Sequence, residues 1–426
     1  MYRPVDVVEV RAWGERVGAV ALDSRLGYYV FEYEPAWQAR GIELSPLMMP
    51  SSQSRHVFPT LPVITYQRLP ALLADALPDD FGNALIDAYL AREGVTRAAV
   101  TPLDRLAYMA DRGVGALEFR PARGPRTRKP SAVELSDLVR GSRQLLQGHF
   151  EGDRETEAAI LQLIQVGTSA GGARPKAVIA WNPATGEIRS GQSPVEPGFE
   201  YWLLKLDGVG RDQELGSGSH YGRIEYAYYL MARAAGIQMM ESRLLEEHDR
   251  AHFMTRRFDR LEGGKLHVQS LCAIAHLDYK QRGTHDYSQY LQVIEQLGLG
   301  ADALEQGFRR MVFNVLAANC DDHTKNLSFI RRREGPWRLA PAYDVTHAHN
   351  PKGRWTYQHL MSVNGRFRDI GRADLEAVGD RFLVPRYRQV IREVVAAVQR
   401  WPEFAAQAHL PQDILQEVQG DFPAVA

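Results

Sequence analysis

The feature that most narrows the fold of this chain is an order: strand-like sequence dominates early and helical sequence dominates late. Val7 to Val20 and Tyr28 to Glu34 are rich in branched and aromatic residues with partial alternation, and Gly14 stands where a hairpin turn between Val10 and Val17 needs it. A Pro-rich crossing follows, and Leu69 to Asp80 leads into a helix over Phe81 to Arg92. After Gly113-Val114-Gly115-Ala116-Leu117, residues 120–130 become basic and rich in Pro and Gly, which marks a domain boundary. A solvated linker explains that basic run better than a phosphate-binding patch. Ser131 to Gln165 reads as helical, with a Gly-rich turn at 167–172 after it. Ala177–Trp181 and Tyr201–Leu206 read as strands, Ile224–Ala235 as an amphipathic helix closed by Gly236, and Phe253–Phe258 as strand-like. Beyond about residue 265 the helical pattern prevails. The expectation is an α+β protein in three parts: a small mixed subdomain over 1–125, a strand-containing lobe with a Gly-rich loop over 126–264, and a mainly helical lobe over 265–426.

Length and charge set outer bounds. At roughly 100–200 residues per domain, 426 residues suit two or three domains. A net charge of −1 argues against the whole chain acting as a nucleic-acid or membrane-surface binder. The two cysteines, Cys272 and Cys320, are far apart and form no paired motif, so neither a zinc site nor a disulfide framework is expected. That usage suits a reducing cytoplasm. Met1 to Asp6 carries no signal-peptide pattern, and no stretch approaches the ~20 apolar residues of a membrane span. A cytoplasmic protein without membrane contact is expected.

The chemistry-bearing residues gather late in the chain. Leu304 to Asn319 has Phe308, Met311, Val312, Val315 and Leu316 on one helical face and should deliver Asp321 at its C-terminal end. Asn326 lies five residues after Asp321, the Asp-to-Asn spacing of the catalytic loop of protein kinases. Phosphoryl transfer needs a phosphate cradle, an orienting lysine, oxygen ligands for Mg²⁺ and a carboxylate facing the acceptor hydroxyl. Asp321 would be that carboxylate, with Asp322 as second choice, and Asn326 would bind Mg²⁺ through its amide oxygen. Asn326–Arg331 and Pro336–Pro341 read as a hairpin around Arg332-Arg333-Glu334-Gly335, which returns Asp344 to the loop as a second Mg²⁺ ligand.

Upstream, Gly167-Thr168-Ser169-Ala170-Gly171-Gly172-Ala173-Arg174-Pro175-Lys176 could bring backbone close to an anion, although Gly-rich turns are more often only turns. It is not a Walker A motif. Lys205 sits in a mostly apolar strand, and Glu225, 20 residues on, is placed to pair with it at a helix start. Burying that lysine without an anion nearby would be costly. His323 and Lys325 lie inside the catalytic loop. Backbone hydrogen bonding explains His323 as well as a catalytic role does, and Lys325 would neutralise the transferring phosphate or face solvent. Asp321-Asp322-His323 with His347 and His349 could instead supply a metallohydrolase, but that leaves the Gly-rich loop, Lys205 and Glu225 unexplained.

These residues resemble the HipA family, the kinase toxins of bacterial toxin–antitoxin pairs. The matches are Ser169 to Ala173 with Lys176, Leu204-Lys205, Glu225-Tyr226, Arg257-Phe258-Asp259-Arg260, Asn319 to Asn326 and Tyr343-Asp344. Leu77-Pro78-Asp79 and Gly113 to Leu117 resemble the family's N-terminal subdomain, so the likeness covers nearly the whole chain. It implies a bilobal protein-kinase-like fold and an ATP- and Mg²⁺-dependent serine/threonine kinase. Asp321 would be the base, Asn326 and Asp344 the Mg²⁺ ligands, Lys205 the ATP-binding lysine, and Phe258 a neighbour of the adenine. Lys325 would join Asp321 in catalysis, and Ser169, Gly171, Gly172, Lys176, Glu225 and His323 would serve the nucleotide site.

The resemblance further implies autophosphorylation of Ser169, with Thr168 as the rival. Added charge there could withdraw the loop from the nucleotide pocket. It implies a small helix-turn-helix antitoxin of HipB type as partner, DNA contact only through that antitoxin, and a protein substrate in translation such as an aminoacyl-tRNA synthetase. The chain departs from the family at Arg174-Pro175, where Gln-Glu is common, and at Arg256, where an acidic residue often stands. Proline there stiffens the loop near Lys176. A small-molecule or lipid-type phosphotransferase, and a non-catalytic subunit of a DNA-binding repressor complex, are the alternatives.

Overall fold

A computed structural model describes residues 2–124, 135–147, 163, 175–192, 195–209, 220–247, 250–261 and 264–424. The chain forms two compact units. The first takes Met1–Gly210, Met254–Gln269 and Arg331–Gly335; the second takes Arg211–Phe253, Ser270–Ile330 and Pro336–Ala426. Residues 125–130 of the basic linker expected over 120–130 and the Gly-rich loop at 167–172 lie outside the described residues, as does most of the helical stretch expected over 131–165, of which Leu135–Gln147 is a helix.

The first unit begins with β1 (Val7–Ala12) and β2 (Glu15–Asp23), an antiparallel hairpin. Its turn is Trp13-Gly14, with φ of 51° and 79°, the pair of positive values that a two-residue hairpin loop requires. Trp13 accepts that backbone because its indole N–H donates to the Lys265 carbonyl at 2.7 Å. With β3 (Tyr28–Tyr33), β4 (Arg55–His56) and β5 (Leu117–Arg120) the hairpin forms a five-stranded sheet in the order β4-β3-β2-β1-β5. Alternation sorts the faces: Val8, Val10 and Ala12 are fully buried while Glu9 and Arg11 pair with each other outside. The helix expected from Phe81 is Asp80–Ala91 and buries Phe81, Leu85, Ile86 and Leu90. Asp79 caps it, accepting the Gly82 N–H at 2.6 Å.

The same unit holds β6 (Lys176–Trp181), β7 (Ile188–Ser190) and β8 (Glu200–Lys205), with β6 antiparallel to both neighbours. Ala177 to Ala180 and Trp202 are essentially inaccessible, which explains why these strands read as apolar runs.

The second unit is mainly helical. Tyr221–Ala234 ends at Gly236, whose φ of 80° supports the sequence-based stop. Ala301–Leu316 buries Phe308, Met311, Val312, Val315 and Leu316, as the apolar periodicity predicts, and packs on Tyr387–Gln399. Trp401, fully buried, meets Tyr228 edge-on with ring centroids 5.4 Å apart. The hairpin before Asp344 is present, as Ser328–Arg331 and Trp337–Leu339. Ser242–Glu247 is a strand that the sequence reading did not name.

One boundary is corrected. The helix expected to run to Asn319 stops at Leu316, and Ala318 takes a φ of 48°. That left-handed residue turns the chain so that Cys320 N–H donates to the Ala348 carbonyl at 3.2 Å and Ala348 N–H to the Ala318 carbonyl at 3.3 Å. Asp321 is therefore carried by a tied-down loop, not by the helix end itself. Among the described residues, no helix is long and apolar enough to cross a membrane.

Candidate active site

The loop after the 301–316 helix treats its two neighbouring aspartates in opposite ways. Asp322 is closed. Its Oδ2 accepts from the Tyr287 hydroxyl and from His359 Nδ1, both at 2.9 Å, and its Oδ1 accepts the Leu360 N–H at 2.8 Å. Asn314 donates to the Tyr287 hydroxyl at 2.9 Å, and Asn319 donates to Asn314 Oδ1 at 3.0 Å, so the network reaches back into the helix. Burial would lower the His359 pKa, but the Asp322 charge outweighs it and holds the imidazole well above its ordinary value. Asp322 is thus buried and its two carboxylate oxygens are engaged within the fold.

Asp321 is open by comparison, its side chain 39% exposed. The Trp355 indole N–H donates to its Oδ1 at 2.9 Å, and His323 Nε2 lies 3.8 Å from the same oxygen. Desolvation pushes its carboxyl above the usual range; His323 pulls it down and Asp344 adds to the rise. The His323 ring packs against Tyr279 with centroids 5.1 Å apart, and the Lys325 ammonium lies 5.6 Å from the centre of the same ring.

Thr324–Asn326 forms a short 3-10 turn, and the Thr324 hydroxyl pins it to the Leu277 carbonyl at 2.6 Å. The Asn326 side-chain N–H donates to the Asp321 carbonyl at 2.9 Å. Asn326 and Asp344 line one cleft, together with Asn319, Asp322 and Tyr343. Asp344 has a φ of 56°, in the left-handed region where a non-glycine residue persists only if its surroundings hold it. The Tyr343 hydroxyl, which donates to the Lys325 carbonyl at 2.8 Å, ties this turn to the 321–326 loop.

These residues fit Mg²⁺. An amide oxygen and a carboxylate are hard donors, and a small hard ion that keeps waters and phosphate oxygens takes few protein ligands. Among the described residues no group of three or more His, Cys, Asp or Glu is arranged to enclose a metal. His347 and His349, the ligands a metallohydrolase would need, both face Asp421, at 2.8 and 3.0 Å. Burial would raise the Asp421 pKa, but the two histidine hydrogen bonds hold it below its ordinary value.

In the first unit, Lys176 and Lys205 stand directly opposite each other on β6 and β8. Lys176 is buried with its ammonium 3.5 Å from the helix-capping Asp79. Phe258 is half-buried in the turn after the strand Arg250–Arg256. Its charged neighbours are structural: Asp259, 2% exposed, accepts from Arg257 Nε at 2.9 Å, from Arg260 at 2.7 Å and from the Gly115 N–H at 2.8 Å. Arg260 also donates to the Gly113 carbonyl at 2.9 Å. Gly115 has a φ of 87°, and a Cβ there would meet the Val268 nitrogen at 3.1 Å, so only glycine fits comfortably.

Glu225 is buried in the helix Tyr221–Ala234 of the second unit, while Lys205 belongs to the first. Ser169, Gly171 and Gly172 lie outside the described residues. Sequence reasoning missed Trp355, His359 and the pairing of Asp79 with Lys176. Each meets its partner from 34 or more positions away, and no local pattern announces such contacts.

Comparison with known proteins agrees with this geometry. Residues 8–120 match the HipA N-terminal domain, and residues 168–401 match the HipA-like C-terminal domain. The chain belongs to the HipA family. It shares its fold with HipA of Shewanella oneidensis MR-1, solved with HipB and its operator DNA, at a TM-score of 0.65 and 16% identity over 97% of this chain and 95% of that one. It is also 28% identical over 138 residues to the protein Y4dM of Sinorhizobium fredii, whose name describes a kinase, spanning 28% of this chain and 32% of that protein. The chain thus spans about a third of the length of that curated relative. The α+β, kinase-like fold read from the sequence is the fold observed.

Proposed function

We propose that this HipA-family chain is an ATP- and Mg²⁺-dependent protein kinase that transfers the γ-phosphate to a Ser or Thr hydroxyl. The observation that carries the reading is one arrangement: a part-exposed Asp321 on the same short loop as Asn326, which shares a cleft with Asp344. Asp321 accepts or orients the proton of the acceptor hydroxyl. Lys325, held over the Tyr279 ring four positions after Asp321, would supply positive charge where the transferring phosphoryl group builds up negative charge. Asn326 and Asp344 would hold Mg²⁺, which supplies charge neutralisation at the phosphate oxygens. Lys205 would be the ATP-binding lysine, as the family resemblance implies.

The finer parts of the proposal follow from the family. They are a helix-turn-helix antitoxin of HipB type as partner, DNA contact only through it, a substrate in the translation machinery, autophosphorylation of Ser169, and a cytoplasmic location. The Shewanella complex with HipB and operator DNA supports the partner.

The test is transfer from radiolabelled ATP with Mg²⁺, comparing the native chain with Asp321→Ala at equal ATP binding. Label on protein serine or threonine that disappears in the variant supports the reading. Label on a small molecule alone, or none at all, refutes it.

A further inference from the structure

We propose that Trp355 is a positioning residue for the Asp321 carboxylate, fixing which of its two oxygens meets the acceptor. The assignment rests on the reading of Asp321 as the base. A carboxylate on a loop can rotate, and a catalytic base works only when a third group fixes its orientation. The Trp355 indole N–H takes Oδ1 at 2.9 Å, on the side where His323 also lies, 3.8 Å away. With Oδ1 taken, Oδ2 is the oxygen left for an acceptor hydroxyl. An indole N–H suits this task because it donates and cannot accept a proton.

Trp355 is itself held from several directions, which makes the contact a built one. Its turn closes on itself through Asn350: the Asn350 N–H donates to the Thr356 carbonyl at 3.2 Å, the Lys352 N–H to Asn350 Oδ1 at 3.0 Å, and the Gly353 N–H to the Asn350 carbonyl at 2.9 Å. The Arg282 guanidinium donates to the Arg354 carbonyl and sits 5.8 Å from the Trp355 ring centre. Thr356, next in line, is 3% exposed and anchors the turn in the core. Three residues further, His359 begins the clamp on Asp322. One segment therefore fixes both aspartates, burying the second and aiming the first.

The test is single-turnover transfer of label from radiolabelled MgATP to the chain itself. Trp355→Phe keeps the ring and removes the donor. The rate constant should fall roughly 10- to 100-fold, as expected when a reacting group loses its orientation. Half-saturating ATP and melting temperature should stay at native values, and Trp355→His, which restores an N–H, should recover part of the rate. The proposal is overturned by a Trp355→Phe rate equal to or above the native rate. It is overturned equally by a rate loss accompanied by weaker ATP saturation or a lower melting temperature, or by a histidine variant no faster than phenylalanine. Asp321→Asn separates the two layers. If that variant transfers label at the native rate, or the native chain transfers none, the base reading falls and Trp355 with it. If Asp321→Asn is inactive while Trp355→Phe is normal, only the role of Trp355 falls.

Discussion

Two short charged segments carry much of the likeness to HipA proteins, and the fold uses them in opposite ways. In Arg257-Phe258-Asp259-Arg260 the charges are consumed within the first unit: Asp259 is 2% exposed and gathers both arginines and the Gly115 N–H. Burial would raise the Asp259 pKa, but Arg257 and Arg260 overcome it and hold the carboxylate ionised far below its usual range. In Cys320 to Asn326 only half the charge is closed off. Asp322 is as buried as Asp259, whereas Asp321 keeps a 39% exposed side chain. Density of charge in a motif therefore does not mark chemistry. What marks it is a charged group that the structure orients without enclosing.

The largest effect should come from the open aspartate. Asp321→Ala should lower phosphoryl transfer about 100- to 10,000-fold, the range for losing a general base, with little change in melting temperature. Initial-rate assays beside thermal melts check it. The reverse pattern, an active but unstable variant, would collapse the distinction between the two segments. Asp259→Ala should show that reverse pattern. Breaking a buried pair leaves charges uncompensated, here Arg257 and Arg260, at a cost of about 3–5 kcal/mol. Urea unfolding measures the loss, and transfer per folded molecule should stay near native. A smaller loss of about 2–3 kcal/mol is expected for Asp322→Asn, which keeps the shape but removes the charge facing Tyr287 and His359. If Asp322→Asn loses transfer with its stability intact, Asp322 shares the chemistry and the division inside the loop is wrong.

Much of this arrangement was legible in the sequence because its periodicities and spacings are local. The apolar face of Ala301–Leu316, the turn at Gly14 and the Asp321-to-Asn326 interval each depend on residues within a turn or two. The helix end was misplaced because Ala318 leaves the helical region to satisfy hydrogen bonds with Ala348, 30 positions on. Trp355 and His359 were invisible for the same reason: their partners, Asp321 and Asp322, are 34 and 37 positions away. A tryptophan beside a basic turn looks like any surface tryptophan until the fold brings Asp321 to its N–H.

Histidines extend the comparison to pH. His359, beside the 321–326 loop, is held charged by Asp322, so its contribution is complete below its ordinary pKa and declines only as pH rises through the elevated value. His267, in the first unit, is the opposite case. It is fully buried, with Nε2 2.9 Å from the Leu44 carbonyl, and desolvation pushes it down to about 4. An unfolded histidine titrates near ~6.5, so below that pH the unfolded chain binds a proton that native His267 refuses. Stability therefore falls as pH drops from about 6.5 toward 4, by about 1 kcal/mol between pH 7 and 5.5 for this residue alone. The difference between the native chain and His267→Gln isolates it, because His359 titrates identically in both. His267→Gln can still donate to Leu44, and it should lose about 1 kcal/mol less than the native chain across that interval in urea unfolding. Equal slopes would mean that His267 carries a proton in the fold, and the two histidines would then no longer differ in kind.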